Sequence, residues 1–516
     1  VNQDPEKLVV WHDEYTLSIG LGEAGPCPPG LVAALAPHMS YVQRDRARWH
    51  ERRDPVTGEV RKFVFRPVDL YALEGDPPRL ACQPGYLARV VETAARMGYE
   101  VDVRDVKFTA YPDCRPEAFE PDWGRYAEGF QARERQDEAV AAIYDAPYGR
   151  VDAAAGFGKT FLAAGLGLLF PKAEIVVCEP TGRTARTAES HFHKVLPASE
   201  VGLVGDGSKR KARVTIFVIN SLALHAMDVR PDFLVVDECH AAVSDKFAEG
   251  VATAGRRARM YGLSASMQDR GDNKHMRLEG LLGPVVFGMS AAEATGLGLV
   301  VPIKVVWHDV RTHPNPVDGV EDDVERKRLG VWFNAPRNDL IASIARGYPA
   351  GERVLILVET TAHALELARR LPDFQVCVGT VSEGLDRSVL GAGLVDPARV
   401  HRTPREQDRL TKAFAAGTSP KLIGTDTLGV GFSPDACRVM IRADARPSGV
   451  KGIQAPGRVS RLHEPSGKTH GVVHEFLDQF DSGVNNWAIR RRRLYHRLGY
   501  EQLRADGTPV VVRTSA

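Results

Sequence analysis

What this 516-residue sequence lacks narrows its class before any motif is read. No stretch approaches the roughly 18 consecutive apolar residues of a membrane span, and the polar N-terminal segment has no signal-peptide core. The expectation is an intracellular protein that does not contact a membrane. Cysteine is sparse: Cys27, Cys82, Cys114, Cys178, Cys239, Cys377 and Cys437 are scattered, odd in number and form no C-x-x-C pair. That pattern favours neither a disulfide framework nor a zinc site. His191 and His193 flank Phe192 without further ligands, the pattern of a wet surface. Excess charge is lacking too; the formal net charge of +1 neither demands nor forbids a basic groove. No nuclease, zinc-finger or methylase signature is present.

What is there is an ordinary globular composition, 43% hydrophobic and 26% charged, in a chain too long for one core. About three domains are expected. From Ala173 onward, short β-branched runs alternate with helical stretches, the pattern of a parallel sheet covered on both faces. Glu174 to Cys178, Val214 to Ile219, Phe233 to Val236 and Met260 to Leu263 read as its strands. After a polar, Pro-containing connection from Asp309 to Pro336 the grammar restarts with Val354 to Val358, Lys421 to Gly424, Arg438 to Ile441 and Gly471 to Phe476. Ser382 to Pro404 reads as an insertion. Before Asp122 the chain carries a weak internal echo, in which Cys27-Pro28-Pro29-Gly30 and Cys82-Gln83-Pro84-Gly85 each open a Pro-started helix that leads to a strand.

The strongest chemical signal is Ala153-Ala154-Ala155-Gly156-Phe157-Gly158-Lys159-Thr160, followed by the apolar helix Phe161 to Phe170. Glycines let backbone N–H groups approach phosphates at a helix N-terminus; Lys159 neutralises the β- and γ-phosphates of ATP, and Thr160 ligates Mg2+. Gly156, Phe157 and Gly158 form the cradle. The second signal is Asp237-Glu238-Cys239-His240, directly after an apolar strand. Two adjacent carboxylates at a strand end supply one for Mg2+ (Asp237) and one to activate the attacking water (Glu238). Cys239 and His240 read as core and coupling residues.

With these motifs in order, the chain from Gln136 to about Tyr500 resembles a superfamily 2 helicase. The resemblance implies two tandem RecA-like motor domains, ATP and Mg2+ as cofactors, and nucleic acid as partner. Arg133 to Ala139 resembles the adenine-reading segment, with Gln136 the reader and Glu134-Arg135 where relatives commonly show Pro-Tyr. Pro180-Thr181-Gly182-Arg183 resembles motif Ia, and Ser221 occupies the next strand end, so that Thr181, Arg183 and Ser221 are expected on the nucleic-acid backbone. Ser264-Ala265-Ser266 resembles the coupling motif III. Thr425-Asp426 and Gly429 to Phe432 resemble motif V, with Asp426 and Gly429 toward the nucleotide and Thr425 toward nucleic acid. Gln454 to Arg461 matches motif VI, Q-x-x-G-R-x-x-R, which implies coupling through Gln454 and an arginine finger at Arg461 with Arg458 beside it. The D-E-C-H box, the Arg337-Asn338 pair and the Arg-rich closing segment are similar to the branch that includes XPB-type repair helicases, phage UvsW and bacterial RadD. That branch implies duplex or branched DNA.

Trp487 to Leu498 reads as an amphipathic helix with Trp487, Leu494 and Leu498 on one face and Arg490, Arg493 and Arg497, candidate phosphate holders, on another. The N-terminal region mixes basic stretches (Arg44 to Arg53, Arg61-Lys62) with Tyr41, Trp49, Phe63 and Phe65, as a nucleic-acid clamp or an ordinary small core would. Every motor motif lies after it, so it reads as separable. The expected architecture is an accessory α/β or α+β domain over residues 1–122, a first doubly wound motor domain over 123–308 and a second over 309–516. The function read from this is an ATP-dependent DNA helicase or translocase of repair, recombination or replication. The alternatives are an RNA helicase and an ATP-gated nucleic-acid clamp.

Overall fold

The computed structural model describes residues 6–49, 63–110, 121–129, 132–154, 156–240, 244–265, 275–379, 381–425, 428, 432, 434–446 and 455–510. The chain divides into two compact units. The first comprises Val1–Ala153 and Gly158–Gly288; the second comprises Ala154–Phe157 and Met289–Ala516.

The first unit is built on an eight-stranded sheet. Across it lie Ser208–Arg210, Val201–Gly205, Val214–Val218, Ile175–Glu179, Phe233–Asp237, Arg259–Ser264, Tyr148–Ala153 and Val285–Met289. The six strands from Val201–Gly205 to Tyr148–Ala153 pair in parallel. Strands buried on both faces favour continuous apolar, β-branched runs, and Ile175–Glu179, Val214–Val218 and Phe233–Asp237 are buried along their whole length. The expected strands lie within a residue of the observed ones. The first strand of this sheet in chain order, Tyr148–Ala153, escaped the reading because Arg150 and Asp152 interrupt its apolar pattern.

The second unit holds a sheet of eight strands, all parallel: Val400–His401, Gln375–Cys377, Lys421–Gly424, Val354–Leu357, Val439–Arg442, Gly471–Asp478, Ile303–Val310 and Glu501–Arg504. Apolar clusters cover its two faces, one around Ile356 and Phe476, the other around Leu355 and Tyr495. The expected doubly wound, tandem RecA-like architecture is therefore what the chain adopts. The second sheet opens with Ile303–Val310, ahead of the 309 start read from the sequence. The expected insertion contains the short turns Glu383–Leu385, Asp386–Leu390 and Pro397–Arg399 and then supplies the edge strand Val400–His401.

The N-terminal module has its own five-stranded sheet: Tyr71–Glu74, Arg79–Cys82, Leu17–Leu21, Lys7–His12 and Glu100–Asp105. The two Pro-started stretches of the sequence echo become the helices Pro29–Met39 and Leu87–Arg96, the latter after the turn Pro84–Tyr86. The first leads into the hairpin Ser40–Trp49 and Phe63–Asp69, the second into the sheet. Cys27 and Cys82 lie in the module's core.

This module is bonded into the first unit through buried polar groups. Lys107, 1% exposed, donates to the Tyr148 hydroxyl at 2.7 Å and to the Ala258 carbonyl at 3.0 Å. His12 Nε2 lies 2.9 Å from the same hydroxyl. Tyr86 donates to the Met276 carbonyl at 2.8 Å, and Arg89 pairs with Glu279. Gly85 sits so close to the helix His275–Leu282 that a Cβ there would come within 2.2 Å of the Glu279 carbonyl oxygen. The module docks on the ends of the sheet strands opposite the motifs, with polar groups buried in the contact.

Candidate nucleotide site

In a doubly wound sheet, ligands bind beyond the carboxyl ends of the strands, and that is where the sequence motifs fall. The chain leaves Tyr148–Ala153, turns through Gly156 and Gly158, and enters the helix Lys159–Leu169. Both glycines have left-handed φ, +94° and +92°, a region that favours glycine. At Gly158 the space is closed as well: a Cβ would lie 2.6 Å from Gln136 Nε2. Gln136 is 2% exposed and accepts the Arg133 N–H at 2.8 Å. The residue read as the adenine reader and the phosphate loop are thus brought together. Lys159 Nζ donates to the Ala153 carbonyl at 2.8 Å, which holds the ammonium over the loop's own backbone.

The carboxylate pair arrives from a neighbouring strand. Phe233–Asp237 ends with Asp237 9% exposed. Its Oδ2 accepts the Thr160 hydroxyl at 3.2 Å and its Oδ1 the Glu238 N–H at 2.8 Å. Burial, and next the charge of Glu238, push the Asp237 carboxyl up to about 6, with Lys159 opposing. Glu238 has a φ of +45°, a rare setting for a residue with a side chain and one that clusters at functional sites. Thr160 and Asp237 supply hard oxygen donors, the chemistry that suits Mg2+. His240 Nδ1 lies 3.3 Å from Glu238 Oε2 and 3.2 Å from Ser264 Oγ, so the Asp-Glu strand end and Ser264 of the next strand are physically joined. Cys239 is fully buried among apolar residues.

The remaining candidates divide. Thr181 caps the helix Gly182–Phe192 by accepting the Thr184 N–H at 3.2 Å; it is exposed, Arg183 is half-buried, and Ser221 lies half-buried on the helix Ile219–His225. In the second unit, Thr425 is 8% exposed at the end of Lys421–Gly424, and Arg461 pairs with Asp435 at 3.4 Å while Arg458 is half-buried. Ser266, Asp426, Gly429 and Gln454 lie outside the described residues. Arg490, Arg493 and Arg497 are exposed on the helix Ser482–Arg497.

Two features escaped the sequence reading. Arg491, on that same helix, is fully buried and bonded to Glu475 Oε2 at 3.0 Å; Arg442 and Tyr495 complete the cluster. Glu179 is the other. It ends the strand Ile175–Glu179, is 2% exposed, and is held well above the usual carboxylate range by burial and then by Asp237. The signal was a carboxylate, directly before Pro180, closing an otherwise apolar run. Among the described residues no group of three or more His, Cys, Asp or Glu could hold a metal ion directly, and six cysteines are buried free thiols.

The type III restriction enzyme res subunit family model matches residues 129–269. No curated protein matches the chain. Among solved structures, S. cerevisiae Dbp5 bound to RNA and ADP BeF3 is 15% identical with a TM-score of 0.51, covering 74% of this chain and 92% of that one. The UvsW structure from bacteriophage T4 is 15% identical with a TM-score of 0.38, covering 96% of this chain and 99% of that one. Mycobacterium smegmatis helicase Lhr bound to ssDNA and AMP-PNP is 16% identical with a TM-score of 0.48, covering 76% of this chain and 50% of that one. A phosphate loop and an Asp-Glu strand end thus meet on the first of two tandem RecA-like sheets, the fold this chain shares with the Dbp5 structure.

Proposed function

We propose that the chain hydrolyses ATP to move along or remodel duplex or branched DNA. The observation that carries the reading is the junction of Thr160 with Asp237 beside Glu238, under a loop whose glycines are left-handed. Lys159 neutralises phosphate charge, the loop N–H groups cradle it, and Gln136 selects the base. Thr160 and Asp237 would hold a Mg2+ ion, which would supply positive charge to offset that of the phosphates. Glu238 takes the proton of the attacking water, and its neighbour His240, 3.3 Å away, passes the change through its contact with Ser264 to the next strand. Arg461, assisted by Arg458, stabilises γ-phosphate charge in the transition state.

DNA is preferred on the resemblance of the D-E-C-H box and the Arg337-Asn338 pair to the UvsW-like branch. Thr181, Arg183, Ser221 and Thr425 hold the backbone, and the exposed Arg490, Arg493 and Arg497 add a salt-dependent grip. Strand displacement on a labelled forked DNA tests the motor reading. ATP-dependent release of the strand, lost in Glu238→Gln, supports it; DNA binding gated by ATP without any release would make the chain a clamp.

A further inference from the structure

Glu179 has no role in the readings above, yet it lies against the cation side of the site. Cys178 is paired with Val236 in parallel register, so the next residues, Glu179 and Asp237, project to the same face of adjacent strands. That face is covered by the helices Lys159–Leu169 and Gly182–Phe192, which carry Thr160 and Thr184, the hydroxyl partners of the two carboxyl groups. Glu179 is 2% exposed, and its Oε1, fully buried, has no hydrogen-bond partner among the described residues. A buried carboxylate with an orphaned oxygen beside a second buried carboxylate is costly unless a positive charge lies between them.

We propose that Glu179 completes the divalent-cation seat, as a second carboxylate reaching the Mg2+ at Thr160 and Asp237 through its bound water. Among the described residues no group of three or more carboxylate, His or Cys side chains could ligate an ion directly. Mg2+ is suited to such a seat, because it dehydrates reluctantly and keeps several waters that such carboxylates can accept from. Two carboxylates also match its charge, which one carboxylate and a hydroxyl do not. The inference rests on the nucleotide-site reading and adds to it a residue one strand away from the Asp-Glu pair.

The test is Mn2+ binding to the nucleotide-free full chain, followed by the loss of the free-ion electron paramagnetic resonance signal. Wild type is expected to bind one Mn2+, and Glu179→Gln to bind it about 10- to 100-fold more weakly, the range for groups that orient metal ligands. Glu179→Asp, which keeps the charge, should recover part of the affinity, and it decides the matter if the Gln variant misfolds. In turnover assays the Mg2+ needed for half-maximal rate should rise in Glu179→Gln by a larger factor than kcat falls. Equal Mn2+ affinity in wild type and a folded Glu179→Gln overturns the proposal and leaves a proton shared with Asp237 as the balancing charge. Absence of ATP turnover in the wild type would instead overturn the nucleotide-site reading, with the Mn2+ titration still judging Glu179.

Discussion

The Thr160 hydroxyl donates to Asp237 Oδ2 across 3.2 Å, tying the start of the phosphate-loop helix to the end of a strand two places away in the sheet. Two motifs far apart in sequence therefore share one hydrogen bond, and the neighbouring Glu238 is aimed from the same strand end. Lys159→Ala removes a charge from this loop and no core packing, so it should abolish ATP turnover with an unchanged melting temperature. Glu238→Gln keeps Asp237 and should bind ATP while turning over on the order of 10²- to 10⁴-fold more slowly. Loss of ATP binding in Glu238→Gln, measured by nucleotide titration, would reverse the roles of the two carboxylates.

Gly158→Ala tests the loop geometry. The φ of +92° alone costs a side chain about 1 kcal/mol, and the Cβ would also collide with the Gln136 amide. ATP affinity is expected to fall, and Gln136→Ala in the same chain should restore part of it. Independent, additive losses in the double variant would separate Gln136 from the loop.

Arg461→Ala is expected to lose turnover on the order of 10³-fold with a much smaller loss of ATP affinity, because a finger acts mainly on transition-state charge. Equal losses in both would make Arg461 an ordinary phosphate binder.

The N-terminal module carries a stability prediction. Lys107→Ala leaves the Tyr148 hydroxyl and the Ala258 carbonyl short of a buried donor, and should destabilise the chain by about 2 kcal/mol or more. A chain beginning near Pro121 strips the whole contact, including Tyr86 and Arg89, and is expected to aggregate rather than keep basal ATPase. A soluble, well-melting truncation would restore the separable module.

The second unit should be acid-sensitive. Burial lowers His308 to about 4 and His474 to about 3, and His474 is further lowered by His308; His474 lies 2.8 Å from His308 and 2.6 Å from the Tyr348 hydroxyl. Both stay neutral in the fold while the unfolded chain takes up protons below about 6.5. The unfolded state thus binds more protons between about 6.5 and 4, and stability falls as pH drops through that window. His474→Gln should flatten that part of the melting-temperature profile; an unchanged slope would remove the pair from the effect.

Legibility followed physics. Strands such as Phe233–Asp237 and Lys421–Gly424 were readable because two-sided burial leaves a continuous apolar run. Tyr148–Ala153 was hidden because Arg150 is buried there against the Gly283 carbonyl and Glu279. The phosphate loop and Asp-Glu pair were readable because their chemistry fixes residue type and spacing. Glu179 and Lys107 were not, since each takes its meaning from partners on other strands or another module. Arg491 shows the limit of helical periodicity: the Arg-rich helix exposes Arg490 and Arg493 as read, but turns Arg491 inward to Glu475.

The central claim is an ATPase driven by nucleic acid, with DNA of duplex or branched character as its substrate. Its most direct test is ATP turnover measured side by side with forked DNA, branched DNA and RNA of equal length at one salt concentration, then repeated at rising salt. The account predicts stronger stimulation by forked or branched DNA than by RNA, weakening as salt rises. Stronger stimulation by RNA would contradict the choice of substrate, and no stimulation by any polynucleotide would contradict the coupling itself.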